Sequence, residues 1–173
     1  YADFRGATFT EDADFGVATF TGNARFRGAT FMGSTMFSGA TFTGNALFTE
    51  ATFTGDANFN KTVFSQHAEF SSSAFAGDAY FSEATFTGYA YFSSGVTFTA
   101  FAYFKEAIFT DKANFSEATF ANRADFKAAT FTSDASFAVA TFIGHADFGG
   151  AAFTRDAHFS EATFAEDAAF DNT

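Results

Sequence analysis

Apolar and polar positions alternate along this chain in a rhythm set by phenylalanine. Phe4, Phe9, Phe15, Phe20, Phe26 and Phe31 open a ladder whose steps alternate five and six residues, and it runs on to Phe170. A small residue stands two places before nearly every rung, as in Ala2-Asp3-Phe4 and Ala7-Thr8-Phe9. Aligned on the rungs, the sequence is a repeat of two unequal halves, five residues plus six. The first half reads like Ala24-Arg25-Phe26-Arg27-Gly28, the second like Ala18-Thr19-Phe20-Thr21-Gly22-Asn23. So short a fixed period dictates the fold before any element is assigned.

Within each half, Ala-x-Phe points in, out and in again, which is the geometry of a strand. Two or three residues rich in Gly, Asn, Asp, Ser and Glu follow, and these are turn formers. A helix fits poorly, because Thr, Phe and Gly are weak helix formers and no apolar stripe at helical spacing is present. Short strands at short intervals make an all-β solenoid. A coil of two strands is too thin to hold two rings in each layer. A coil of four, about 22 residues, gives a square layer with four Phe facing inward beside four small residues, which fills the interior at the density proteins require. Two diagonally opposite corners are then one residue wider than the other two.

On this register the coils start at Phe4, Phe26, Phe48, Phe70, Phe92, Phe115, Phe137 and Phe159. The step is uniform except between Phe92 and Phe115, where an extra residue falls in Ser93-Ser94-Gly95. Phe92, Phe98 and Phe104 carry the ladder past this slip. The expected body is one solenoid domain over residues 1–173, nearly eight coils long, with the Phe ladder as its core.

A tandem five-residue unit with a small residue two places before a central Phe resembles the pentapeptide-repeat family, from Ala2 to Phe170. The resemblance implies a right-handed, quadrilateral parallel β-helix. The chain departs from the better-known members in two ways: its centre is Phe throughout, and every second unit carries a sixth residue.

Composition narrows the function classes. Phe supplies 32 of the 173 residues, while Cys, Pro and Trp are absent, which removes disulfides, thiolate metal sites and Cys nucleophiles. A net charge of −11 disfavours attraction to nucleic acid or to an anionic membrane. Apolar residues never run together long enough for a membrane span, and no signal-peptide pattern is present. His67, His145 and His158 fall on different sides or in different coils, without triad partners. No catalytic residue, cofactor or membrane insertion is expected.

Outward positions flank each Phe, and residues one coil apart stack. Lys61 then meets Glu83, and Lys112 meets Asp134, whereas Arg5 beside Arg27 and Lys105 beside Lys127 are like-charged neighbours. Asp56 beside Asp78, and Asp134 beside Asp156, bring carboxylates together along two corners. They are the weak candidates for a hard-cation site, with turn geometry as the plainer explanation. Tyr80 stacks on Tyr103, and Tyr89, Tyr91 and Phe101 sit nearby around the extra residue, forming a candidate protein interface or a set of strand-stabilising aromatics. Thr19/Thr21, Thr41/Thr43, Thr85/Thr87 and Thr130/Thr132 form rows along one face, with departures at Val63/Ser65, Ile108/Thr110 and Ala152/Thr154. Regular Thr-x-Thr rows resemble the ice-binding face of certain antifreeze proteins, although Thr also suits any exposed strand.

Both ends read as ordinary repeats, which exposes a layer of Phe at each: Phe4 and Phe9 at one, Phe164 and Phe170 at the other. Repeat proteins ordinarily place polar caps there. The expectation is a chain cut from a longer rod, or rods that stack end to end into a fibre, since a head-to-tail contact does not close on itself. The competing class is an acidic binding module that mimics DNA, as the resemblance to gyrase-protecting family members implies. The dimerising helix and projecting loops of that subgroup have no counterpart in this sequence.

Overall fold

The computed structural model describes residues 1–173, all of it strands and corners, without a helix. Thirty-one strands of two residues begin with β1 (Ala2–Asp3), β2 (Thr8–Phe9), β3 (Ala13–Asp14) and β4 (Thr19–Phe20). They end with β28 (Ala152–Phe153), β29 (Ala157–His158), β30 (Thr163–Phe164) and β31 (Ala168–Ala169). Each strand pairs in parallel with the one a coil further on, Ala2 with Ala24 and Asp3 with Arg25 in the first case. The result is four sheets, three of eight strands and one of seven. They form four faces, named here first to fourth after the strands β1 to β4 that start them. The first lies opposite the third, and the second opposite the fourth.

The alternation of five and six residues is an alternation of corner types. At a tight corner the Ala7 N–H donates to the Phe4 carbonyl at 3.0 Å, and Gly6 between them has φ 64°. The left-handed residue sits in the third place of the turn, as in a type II turn. The same place is held by Val17 (φ 51°), Lys61 (φ 57°) and Val139 (φ 60°), so most of these left-handed positions lack glycine. The wide corners show the converse. Their glycines have ordinary φ, yet a Cβ on Gly55 would come within 2.7 Å of the carbonyl carbon of Gly33 in the coil beneath. Coils stack at about the separation of paired strands, and at the wide corners backbone lies directly on backbone. Glycine here marks close stacking rather than a turn.

The extra residue widens one tight corner. Ser94 (φ 53°) and Gly95 (φ 79°) are both left-handed, and the Val96 N–H donates to the Ser93 carbonyl at 3.3 Å. Pairing resumes at once, with Ala74 opposite Thr97 and Phe75 opposite Phe98. The slip is absorbed where it occurs.

Inside, each ring stacks on its equivalent in the next coil, with centroids from 4.6 Å (Phe20/Phe42) to 5.2 Å (Phe42/Phe64). Rings of the first and third faces meet edge to face across the axis, whereas those of the second and fourth lie to either side. Across a tight corner neighbouring rings are tilted, 43° for Phe26/Phe31; across a wide one they are nearly perpendicular, 82° for Phe31/Phe37. Both are favourable arrangements of the ring quadrupole. Every rung from Phe26 to Phe148 is buried.

The small residue two places before each rung fills the space beside the ring and is nearly always Ala. Where Thr or Ser takes its place, the hydroxyl has to find an acceptor. Thr62 Oγ1 donates to the Phe37 carbonyl at 2.8 Å, and Ser73 Oγ to the Phe48 carbonyl at 2.6 Å. Thr35, equally buried, leaves its Oγ1 without a partner.

Candidate functional site

The side chains open to a partner lie on the four faces and at the corners. The carboxylates at the wide corners act mainly on the backbone. Asp56 Oδ1 accepts from the Asp78 N–H at 2.9 Å, and Asp78 Oδ1 accepts from the Phe101 N–H at 3.1 Å. Asp12 does the same for Ser34, and Asn23 for Asn45. Each such side chain supplies the acceptor that a widened corner withholds from the next coil. On the opposite corner Asp134 pairs with Lys112 at 3.2 Å, one coil below Asp156. The cation candidates are thus split between two corners on opposite edges of the rod. Three of the four like-charged neighbours find their own partners, Arg5 on Asp3 at 2.8 Å, Arg27 on Glu50 at 3.0 Å and Lys105 on Glu106 at 3.3 Å. Lys61 and Glu83 approach to 3.6 Å.

Three flanking residues are not solvent-facing. Ser71 and Ser93 are buried, their hydroxyls 3.2 Å apart beside the widened corner, and Asp125 is buried on the third face.

The outward-facing aromatics around the extra residue, half-buried except for Phe101, divide into two groups. Tyr80 and Tyr103 stack on the third face at 5.1 Å and 8°, with Phe101 at 5.9 Å from Tyr103. Tyr89 and Tyr91 belong to the first face and its corner with the fourth, where the rings meet at 6.0 Å and 79°. The order of strands around the coil separates them: Tyr91 follows Tyr80 by two strands, which is half a turn. The expected single patch is therefore two patches on opposite sides of the rod.

On the third face the Tyr80 hydroxyl donates to Asp78 Oδ2 at 3.0 Å. Burial first, and then this bond to a carboxylate, push the Tyr80 phenol up to about 12. Burial also raises Tyr103, with Asp78 adding to it. On the first face burial raises Tyr91, and Glu69 one coil below reinforces the shift.

The first-face group has a feature that reading along the chain did not reveal. His67, one coil below, packs against Tyr89 at 5.1 Å and a tilt of 38°, and in front of the tyrosines runs a trough of about 280 Å³. Tyr91 closes one end and His158 the other, with the smaller Asn114 and Ser136 between them as floor and the Lys112–Asp134 pair along the corner side. The signal was present as a column of residues one coil apart, large, small, small, large.

The Thr rows are in register as expected. On the fourth face Thr19 pairs with Thr41, Thr41 with Val63, Thr85 with Ile108 and Thr130 with Ala152. Thr21, Thr43, Thr87 and Thr132 flank the same rungs. The opposite second face carries a row of its own, Thr8, Thr30 and Thr52 and then Thr97, Thr119, Thr141 and Thr163, broken at Ala74.

A four-sided parallel solenoid with a small residue and a Phe facing inward on every strand defines a class. The chain belongs to the pentapeptide-repeat family: the family model described as pentapeptide repeats (9 copies) matches residues 1–41, 37–85, 48–96, 81–130 and 104–152. Among solved structures it is similar to HetL, a pentapeptide repeat protein involved in heterocyst differentiation regulation from the cyanobacterium Nostoc sp. strain PCC 7120. The two are 12% identical over 93% of this chain and 86% of that one, with a TM-score of 0.39. No curated protein matches the chain. Proteins of this fold are commonly non-catalytic interaction modules.

Proposed function

We propose that the chain is a non-catalytic structural and interaction rod that extends coil on coil, as a segment of a longer repeat protein or through end-to-end contact with a second copy. The observation that carries this reading is the identity of the end layers with the interior. Phe4 stacks on Phe26 at 4.9 Å, and Phe148 on Phe170 at 5.0 Å, the spacing found throughout. The outer faces of these rings are open: Phe4, Phe9, Phe15 and Phe20 are only partly buried at one end, as are Phe153, Phe159 and Phe164 at the other, and Phe170 is 42% exposed. The strands that carry them end in unpaired backbone groups, which is a ready template for another parallel coil.

DNA mimicry has less support, because the acids are shared among several columns and interrupted by Arg5, Arg25 and Arg27. Ice binding has less support as well, because Val63, Ile108 and Ala152 break the fourth-face rows, and on the second face Met32, Ala76, Ala121, Ile143 and Ala165 interrupt the row that would accompany the regular one. Sedimentation of the 173-residue chain over a wide concentration range, with electron microscopy of the heaviest fractions, tests end-to-end contact. Rods of graded length are expected, and they shorten to single units when Phe164→Asp and Phe170→Asp are combined with circular dichroism unchanged. A monodisperse monomer at millimolar concentration overturns end-to-end association.

A further inference from the structure

We propose that the Tyr89–Tyr91 trough on the first face is a binding site for an organic cation, the guanidinium of an arginine presented by a partner protein. The inference rests on the interaction-rod reading and gives it a place and a chemistry.

The rod supplies its own template. At the first coil the Arg25 guanidinium carbon lies 5.3 Å from the centroid of the Tyr1 ring. Tyr1 occupies the last corner position before Ala2, and Arg25 pairs with Asp3 one coil on. Tyr89 occupies the same corner position before Ala90, four coils further along, and the residue that corresponds to Arg25 there is Asn114, which pairs with Tyr91. The first coil fills this space with an arginine of its own chain. At Tyr89 the short Asn114 leaves it open, and the trough is the result.

The walls suit the same occupant. Tyr89 and Tyr91 meet at 79°, so two aromatic surfaces border one space, with His67 packed against Tyr89 from one coil below. A cation within about 6 Å of a ring centroid is attracted to its face, and the attraction grows as water is removed. A planar guanidinium stacks on a ring more readily than an ammonium does. Asn114 Oδ1 is engaged by the Ser116 N–H at 2.9 Å, which holds the floor side chain in place.

The charge around the trough is complementary to a cation. Glu69 lies one coil below Tyr91, and Asp111 and Asp134 stand on the adjoining corner. The one cation in the lining, Lys112, is drawn to Asp134 at 3.2 Å. The chain as a whole carries −11.

The test is a titration of the protein with a blocked Gly/Ser peptide containing one arginine, followed by amide and aromatic NMR shifts, beside the same peptide with citrulline, which keeps the shape and loses the charge. Binding at least fivefold tighter for arginine is expected, with shifts centred on Tyr89, Tyr91 and Asn114. Asn114→Arg, which rebuilds the Arg25–Tyr1 arrangement and fills the trough from within, removes the binding, as does Tyr89→Leu combined with Tyr91→Leu. Tyr80→Leu with Tyr103→Leu on the opposite face leaves it unchanged. No binding, equal affinity for the two peptides, or binding that survives Asn114→Arg overturns the proposal. The rod reading stands or falls separately, on the sedimentation of variants at the Phe164 and Phe170 end.

Discussion

Phe26 on the first face and Phe37 on the third meet edge to face across the axis of the coil, 5.4 Å between centroids and 84° between planes. Phe37 repeats the contact with Phe48 above, at the same distance and angle. The axis is therefore a zipper of first-face and third-face rings, with no direct meeting of the other two faces. Phe42, on the fourth face, stacks on Phe20 and Phe64 and touches the zipper from one side.

It follows that Phe→Leu substitutions divide by face. An aromatic pair is worth about 0.5–1.5 kcal/mol beyond its buried area. Phe37→Leu is expected to cost about 1 kcal/mol more than Phe42→Leu, measured by denaturant unfolding of each variant. Equal losses show that the cross-axis contact adds nothing.

The unpartnered hydroxyl of Thr35 makes a prediction of opposite sign. An unsatisfied buried polar group costs about 1–3 kcal/mol, and Ala fills the same position on most other coils. Thr35→Ala is expected to raise stability by about 1 kcal/mol, whereas Thr62→Ala, which deletes the bond to the Phe37 carbonyl, lowers it. Differential scanning calorimetry of the two variants checks the contrast.

Corner chemistry predicts a second contrast. A β-branched residue in the left-handed region is a true outlier, and relief of that strain is worth about 1–2 kcal/mol. Val139→Gly at a tight corner is therefore expected to stabilise. Gly55→Ala at a wide corner is expected to destabilise by a similar amount, because the new methyl meets backbone at 2.7 Å. Thermal unfolding of both variants settles it, and a stable Gly55→Ala variant contradicts the stacked-backbone account.

The raised Tyr80 phenol sets an alkaline limit. Its folded value, about 12, lies above the ordinary 10.0. Its contribution is therefore fully present below pH 10 and is lost as pH rises through 12. Ultraviolet titration should show tyrosine ionisation extending well above pH 10, with Tyr80, Tyr91 and Tyr103 all raised, and Asp78→Asn should bring the Tyr80 phenol down. A Tyr80 phenol that does not move on Asp78→Asn rules out a contribution from the Tyr80–Asp78 bond.

Most of the fold was legible because one residue type marks every strand. Once Phe4, Phe26 and Phe48 were read as equivalent, the coil length, the slip after Phe92 and the stacking of Tyr80 on Tyr103 followed by subtraction. The roles of individual corner residues did not. Glycine at a wide corner and Glu or Val at a tight one run against the ordinary turn signal, because the wide corner is constrained by the coil beneath it and not by its own dihedrals. The separation of Tyr80 from Tyr91 was missed for a related reason. Residues eleven apart look close in the chain, yet two strands of a four-sided coil turn the backbone through half a circle. The trough at Tyr89 needed the columns to be read vertically, from Tyr91 through Asn114 and Ser136 to His158.

The widened corner at Ser94 and Gly95 has a mechanical consequence. A uniform solenoid is a ruler with identical graduations, so a long object lying along it can shift by one coil and find the same surface again. One corner that protrudes differently from all others of its column ends that equivalence. The backbone between Ser93 and Val96 is thereby a landmark that no shift by a whole number of coils reproduces.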